Sequence, residues 1–446
     1  MKVHLLWPLL FMLGALGCSS NSAYRTEDKQ CLYTAAGECA TSFMQMANRG
    51  SDKEYQLGFL EYDDQGMPRS PERQDKLLNH YLEVAARQDV LLLTFVHGWH
   101  HSAKPQDTNI SRFRTLLEQV SANESRDSTR QKRQRRAVLG VYIGWRGDSI
   151  DLEYLNTVTF WDRKNTAHEV GRQGVTRALL KLEELVNVRN FIKEGSPAAT
   201  SRLVVIGHSF GGAVVYSSLQ KVLTDRFIDS RKNKNYQGSA DGFGDLVLLM
   251  NPAFEALRFA PLFHLSQQGC RRYLSEQLPK LAVLTSETDY ATKLAFPAGR
   301  SLSTFFESHR NMTRHYCTRP GSGGKRAIEI SQGSADRTAI GHFEPYLTHN
   351  LSAKSAGDKT TFDLLDAYQH WSAADDSQPG VFSTVDLSSY KRTTARNPYM
   401  NIQVSKALMD GHNDIWGQDI VQFVSELIRM STTPKEVYEL MLNKQQ

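Results

Sequence analysis

"RLVVIGHSFGGAVVYSSL", Arg202–Leu219, is the stretch whose reading decides the fold. Leu203–Ile206 is a short, β-branched apolar run of the kind found in strands buried on both faces. It stops at Gly207-His208-Ser209-Phe210-Gly211-Gly212, and the apolar residues then resume as a helix would carry them. A Gly-x-Ser-x-Gly between a buried strand and a helix is the pattern of a sharp turn that lifts a serine hydroxyl out of the sheet. Gly207 and Gly211 suit such a turn, because it strains the serine backbone and bulkier neighbours would clash. The start of the next helix brings N–H groups and a positive dipole end to Ser209, where an oxyanion would need them. His208, inside the turn, is expected to pack rather than to act as a base.

Working outward, the same strand–helix rhythm recurs. "YQLGFLEYDDQG" (Tyr55–Gly66) alternates weakly and ends in turn residues, as an early edge strand does. "SPERQDKLLNHYLEVAARQ" opens a helix with Ser70 as N-cap and Pro71 at its first position. "VLLLTFVHGW", "AVLGVYIGWRGDS", "DLVLLMNPAFEA" and "KLAVLTSETDY" are further buried strands, with helical periodicity at "ISRFRTLLEQV" and over 166–192. Alternation from about residue 90 to 290 predicts an α/β fold, a mostly parallel sheet flanked by helices. Between 295 and 398 the rhythm breaks, and this is expected to be a large insertion or lid-like region. "YMNIQVSKAL" then resumes as a last strand, and "DIVQFVSELIRM" is an amphipathic final helix. The chain shows no internal repeat. The basic run Arg126–Arg136 is expected as a charged connector, either a solvated loop or a contact for anionic lipid headgroups.

These motifs together resemble the α/β-hydrolase superfamily, and most closely bacterial esterase- and lipase-like proteins, over about residues 88–292 and 398–430. "FVHGW" (Phe95–Trp99) looks like the His-Gly loop after an early strand. The resemblance implies an oxyanion hole made by the backbone N–H groups of Trp99 and Phe210. It implies an acid after a later strand: Asp289 in "TSETDY" first, with Glu287 and Glu255 as alternatives. It implies a base before the final helix, which is His412 in "MDGHNDIW", with His342 and His349 of the insertion as rivals. In this reading the triad is Ser209, His412 and Asp289, and no cofactor is needed. "HGWHH" raises a metal site at His97, His100 and His101, but no carboxylate stands at ligand spacing and the loop reading requires no metal.

Composition bounds the rest. The 446 residues, 40% apolar and 23% charged, can bury a sizeable core, and a net charge of +5 does not suggest a nucleic-acid binder. "MKVHLLWPLLFMLGALGCSS" has a basic start and an apolar run, Leu5–Leu16, too short to span a bilayer. It reads as a cleaved signal segment, residues 1–17. "ALGC" resembles the lipobox of bacterial lipoproteins, with Cys18 lipidated and Ser19 pointing to the outer membrane. Residues 18–53 are then a tether, and 54–446 a single domain. In an oxidising periplasm the four remaining cysteines pair most simply as Cys31–Cys39 and Cys270–Cys317, each closing a local loop, among three possible pairings. The function expected is a lipid-anchored serine hydrolase of carboxylic esters, lipidic ones included because the anchor holds the site near a bilayer. The alternatives are an acyltransferase or amidase with the same triad, or a non-catalytic surface lipoprotein on a hydrolase scaffold.

Overall fold

The computed structural model describes residues 22–34, 37, 39–145, 164–192, 200–230, 239–304, 307–373 and 380–443. Its strands are β1 (Cys31–Tyr33), β2 (Met44–Ala47), β3 (Tyr55–Glu61), β4 (Val90–Val96), β5 (Ala137–Gly144), β6 (Arg202–His208), β7 (Leu246–Met250), β8 (Leu281–Ser286), β9 (Asn311–Cys317), β10 (Lys325–Ser331), β11 (His349–Ala353), β12 (Val385–Ser389) and β13 (Tyr399–Val404). The helices that frame the sheet are α1 (Pro71–Arg87), α2 (Thr108–Gln131), α3 (Thr176–Ile192), α4 (Phe210–Asp229), α5 (Ala256–Gln267), α6 (Phe296–Ser303), α7 (Leu364–Ala373) and α8 (Gln418–Ser431).

Eleven of these strands form one sheet in the order β1-β2-β3-β5-β4-β6-β7-β8-β13-β11-β12, while β9 and β10 form a separate antiparallel hairpin. From β3 through β11 every neighbouring pair in that order is parallel. The antiparallel pairs are β2 with β3 and β11 with β12. This is the expected α/β architecture. β4 shows why its sequence has no polar face. Val90, Leu92 and Val96 enter the layer built with α1, α3, α4 and α5, while Leu91, Leu93 and Phe95 enter the layer built with α2, α7 and α8. A strand covered on both sides favours apolar residues on both faces, Thr94 being the one polar side chain in β4. α1 begins as its sequence indicates, with the Ser70 hydroxyl accepting from Arg73 N–H and Pro71 at the first turn.

The chain order fixes where a site can form. β5 lies on one side of β4, and the chain then crosses to place β6 on the other side. Connections therefore leave β4 and β6 in opposite directions. The crevice between their carboxyl ends is a topological switch point, where parallel sheets bind ligands. The loop after β4 carries His97–Trp99, and β6 ends at His208, directly before Ser209.

Several expectations change. Tyr55–Glu61 is interior rather than an edge strand, because residues 18–53 are not a plain tether: within them β1 and β2 extend the sheet beyond it. The basic run is not a connector. α2 continues to Gln131, and Arg133 and Arg136 turn inward onto Glu124 at 2.5 and 2.6 Å. Burial raises the Glu124 pKa, but Arg136 and Arg133 outweigh it and hold it down at about 2. Arg135 donates to the carbonyls of Ser51 and Asp52. Arg133, Arg135 and Arg136 are thus committed to internal partners. In the 295–398 stretch, β11 and β12 lengthen the sheet past β13, and the β9–β10 hairpin is tied to the end of α5 by a disulfide.

Cys31–Cys39 and Cys270–Cys317 are both bonded, with Cα atoms 5.7 and 5.3 Å apart. Cys18 and the signal segment lie outside the described residues. Among those described, no helix is long and apolar enough to cross a membrane.

Candidate active site

Ser209 sits between β6 and α4 with φ 56° and ψ −124°, a conformation strained for any residue with a side chain. The surroundings enforce it. Its N–H donates to the Met250 carbonyl at 2.9 Å, and its own carbonyl accepts from Ala253 N–H at 3.1 Å and Ala213 N–H at 3.2 Å. The turn closes so tightly that a Cβ on Gly207 would lie 2.8 Å from the Gly211 carbonyl oxygen. The loop after β4 comes equally close: a Cβ on Gly98 would lie 2.7 Å from Ser209 Cβ. Gly98 is thus the residue that lets Trp99 pass beside the serine. The Trp99 ring stands 6.3 Å from that of Phe210, so the two expected oxyanion-hole residues are neighbours.

Three distant segments then converge. Ser209 Oγ lies 2.7 Å from His412 Nε2, and His412 Nδ1 lies 2.8 Å from Asp289 Oδ2. Ser209 is 3% exposed and Asp289 is not exposed at all, whereas the His412 side chain keeps 20% of its surface. Burial alone would raise the Asp289 pKa. The hydrogen bonds from His412 and Thr292 more than offset that and lower it, so the carboxylate is ionised and fixes His412 with a proton on Nδ1. Nε2 is then the lone-pair nitrogen facing the serine hydroxyl.

The two alternative acids have other partners. Glu287 lies two residues short of Asp289, and its carboxylate accepts from Lys406 N–H at 2.8 Å. Glu255 follows β7, is buried, and binds Lys164, Arg258 (3.1 Å) and Arg300 (3.2 Å). Of the rival bases, His342 stands behind Asp289, with Nε2 2.9 Å from Thr292 Oγ1. His349 is buried on β11, where its Nδ1 meets the Thr348 hydroxyl.

His208 packs, as expected. It is 2% exposed, donates from Nε2 to the His412 carbonyl at 3.0 Å, and places its ring 5.2 Å from that of His412. Burial, then the neighbouring His412, drops its pKa to about 3, so it stays neutral. His97 is locked between Gly98 O and Trp145 N–H, which engages both ring nitrogens, and burial lowers its pKa to about 4. His101 pairs with Asp107 at 3.0 Å. His97 and His101 are therefore spent on internal hydrogen bonds, and His100 stacks on Trp99. A group with metal-ligand spacing occurs instead at Glu307, His309 and Asp336, but Arg300 already forks Asp336 at 2.7 and 2.8 Å.

Sequence reasoning missed Asn251. Its side chain donates to the carbonyls of His412 (2.7 Å) and Gly411 (3.2 Å) and accepts from Ser286 N–H (2.9 Å). One amide thereby joins the ends of β7 and β8 to the histidine loop. Asn251 has φ 45°, which asparagine tolerates better than most residues. The signal was an Asn-Pro directly after a buried strand, a turn mark that says nothing about what the amide would hold. Ser286 does related work, its hydroxyl donating to Met409 O at 2.6 Å.

Comparison with known proteins found no matching family model, no matching curated protein and no matching solved structure.

Proposed function

We propose that the chain is a serine hydrolase of α/β-hydrolase type that cleaves carboxylic esters. The carrying observation is the unbroken series Ser209 Oγ, His412 Nε2, His412 Nδ1 and Asp289 Oδ2, at 2.7 and 2.8 Å, at the carboxyl edge of the sheet. His412 takes the proton of Ser209 as its oxygen attacks the ester carbonyl. Trp99 and Phe210 N–H groups stabilise the oxyanion, aided by the positive end of α4. His412 passes the proton to the departing alcohol, and water, activated by the same nitrogen, releases the acid.

Tyr290 and Leu294 follow Asp289, one helical turn apart, and are 66% and 61% exposed. Large apolar side chains exposed beside the triad favour an acyl substrate with an apolar chain. The two disulfides favour an oxidising compartment, in keeping with the signal segment and lipid anchor inferred from "ALGC". A fluorophosphonate probe should label the folded protein at Ser209 and leave Ser209→Ala untouched. A series of p-nitrophenyl esters then reads the preferred chain length. Absence of labelling in folded wild-type protein overturns the reading. Labelling with negligible ester turnover redirects it to acyl transfer or amide cleavage.

A further inference from the structure

We propose that Thr292 and His342 are positioning residues for Asp289, forming a second hydrogen-bonded string that meets the carboxylate at Oδ2, the oxygen that also faces His412. The proposal rests on the hydrolase reading for its consequence, and on geometry for its existence. Asp289 Oδ2 lies 2.8 Å from His412 Nδ1 and 2.5 Å from Thr292 Oγ1, and Oδ1 accepts from Thr292 N–H at 3.1 Å. Thr292 Oγ1 lies in turn 2.9 Å from His342 Nε2.

Proton counting fixes the directions. An ionised carboxylate only accepts, so the single hydroxyl hydrogen of Thr292 must point at Asp289. The threonine oxygen is then free only to accept, and His342 must donate to it from Nε2–H. A neutral ring suits this, and burial lowers the His342 pKa to about 4. The charged and titratable groups facing His342 are Asp289, which favours its protonation, and Lys293 and His412, which oppose it. The string therefore runs His342 to Thr292 to Asp289, mirroring Ser209 to His412 to Asp289. Hydrogen bonds arranged in a row polarise one another, so the outer donor strengthens the inner one.

The fold holds both members firmly. Asp289 caps the turn that contains Thr292, which ties the carboxylate rotamer to the backbone. His342 belongs to a short 3-10 turn, Ile340–His342, held by Ile340 N–H to Phe254 O and by Asn401 Nδ2 to Ile340 O, both at 3.0 Å. This gives part of the 295–398 stretch a task at the triad: it delivers a histidine to the threonine that holds the acid. A buried carboxylate with no exposed surface has no water to keep it ionised or to hold its orientation. The second string supplies both.

The test compares Thr292→Val, Thr292→Ser, His342→Leu and His342→Gln with wild type on one p-nitrophenyl ester. Loss of a charge-assisted donor should lower kcat about 10- to 100-fold in Thr292→Val, with KM nearly unchanged. His342→Leu should lose about tenfold, whereas His342→Gln, which restores an N–H donor, and Thr292→Ser, which keeps the hydroxyl, should recover to within about threefold. The acid limb of kcat/KM, which belongs to the Asp289–His412 pair, should move to higher pH in Thr292→Val. A reading independent of turnover is the downfield NMR resonance of the proton between His412 and Asp289, which should shift in the same variant. Activity of Thr292→Val and His342→Leu within about twofold of wild type overturns the proposal. Equal impairment, or equal loss of folding, in His342→Leu and His342→Gln also overturns it by making the histidine a packing residue. If Thr292→Val does not fold, the His342 pair decides. A wild-type protein that neither labels nor hydrolyses esters defeats the hydrolase reading instead, and the NMR shift still judges the string.

Discussion

Asp289 and Glu255 are two buried carboxylates on loops after neighbouring parallel strands, β8 and β7, and they do opposite things. Asp289 is surrounded by neutral donors and one imidazole. Glu255 is surrounded by Lys164, Arg258 and Arg300. Burial pushes both pKa values up, and the partners bring both down, Glu255 to about 2. Burial, strand-end position and ionisation are therefore shared and cannot mark the acid of the proposed triad; the partner is what favours Asp289. A carboxylate held by fixed cations has its charge neutralised and has nothing to offer an imidazole. One held by neutral donors keeps its charge available to stabilise the imidazolium as it forms.

Substitutions can break this contrast, beginning with the serine both loops surround. Ser209→Ala should abolish fluorophosphonate labelling and lower kcat by about 10⁵- to 10⁶-fold, while the melting temperature holds, because alanine keeps the Cβ and with it the backbone strain at φ 56°. Asp289→Asn should cost about 10⁴-fold in kcat, because an amide can donate to His412 and favour the wrong tautomer. Glu255→Gln should reverse that pattern. Activity per folded molecule stays within about threefold, but Lys164, Arg258 and Arg300 each lose this carboxylate, Arg300 keeping Asp336, and stability falls by about 3–5 kcal/mol in denaturant unfolding. If Glu255→Gln cost activity as Asp289→Asn does, at unchanged stability, the assignment of the acid would be wrong.

The same pair separates by pH. Glu255 has its folded pKa lowered from 4.5 to about 2. A depressed carboxylate gives stability that is fully present above its unfolded value and disappears as pH falls through the folded value. Wild type should therefore lose stability between about pH 4.5 and about pH 2 in acid unfolding, and that slope should flatten in Glu255→Gln. A slope unchanged by the substitution would place the acid sensitivity in other carboxylates.

Residue order made much of this site readable in advance. The strand–turn–helix at Ser209, the His-Gly loop after β4, and the sequence Ser, acid, His needed only local pattern and chain order. The buried strands were readable because a two-sided sheet demands unbroken apolar runs such as Leu246–Met250. What stayed hidden was pairing between segments far apart. β1 and β2 are short and mixed in polarity, so nothing in them announces a strand until β3 pairs with β2 and β2 in turn with β1. Arg133 and Arg136 read as a charged surface because their partner, Glu124, lies on the preceding helix and faces inward only once α2 is built. Asn251 and His342 carry no motif. Each matters through one or two polar atoms delivered across the fold, and composition and periodicity do not register single atoms.

The third carboxylate gives the smallest effect and the sharpest local check. Glu287 was an alternative acid because it ends the same strand two residues earlier. Its N–H still pairs with Val404 O at 3.0 Å, so the residue continues the β8–β13 ladder instead of entering the turn. Its carboxylate consequently reaches Lys406 N–H on the loop after β13. Only after Thr288 does the chain bend to aim Asp289 at His412. Glu287→Ala should change kcat/KM by less than about twofold and stability by about 1 kcal/mol, the worth of one hydrogen bond. A hundredfold loss of kcat with the fold intact would mean that the chain of the proposed enzyme bends two residues sooner in solution, with Glu287 rather than Asp289 holding the imidazole of His412.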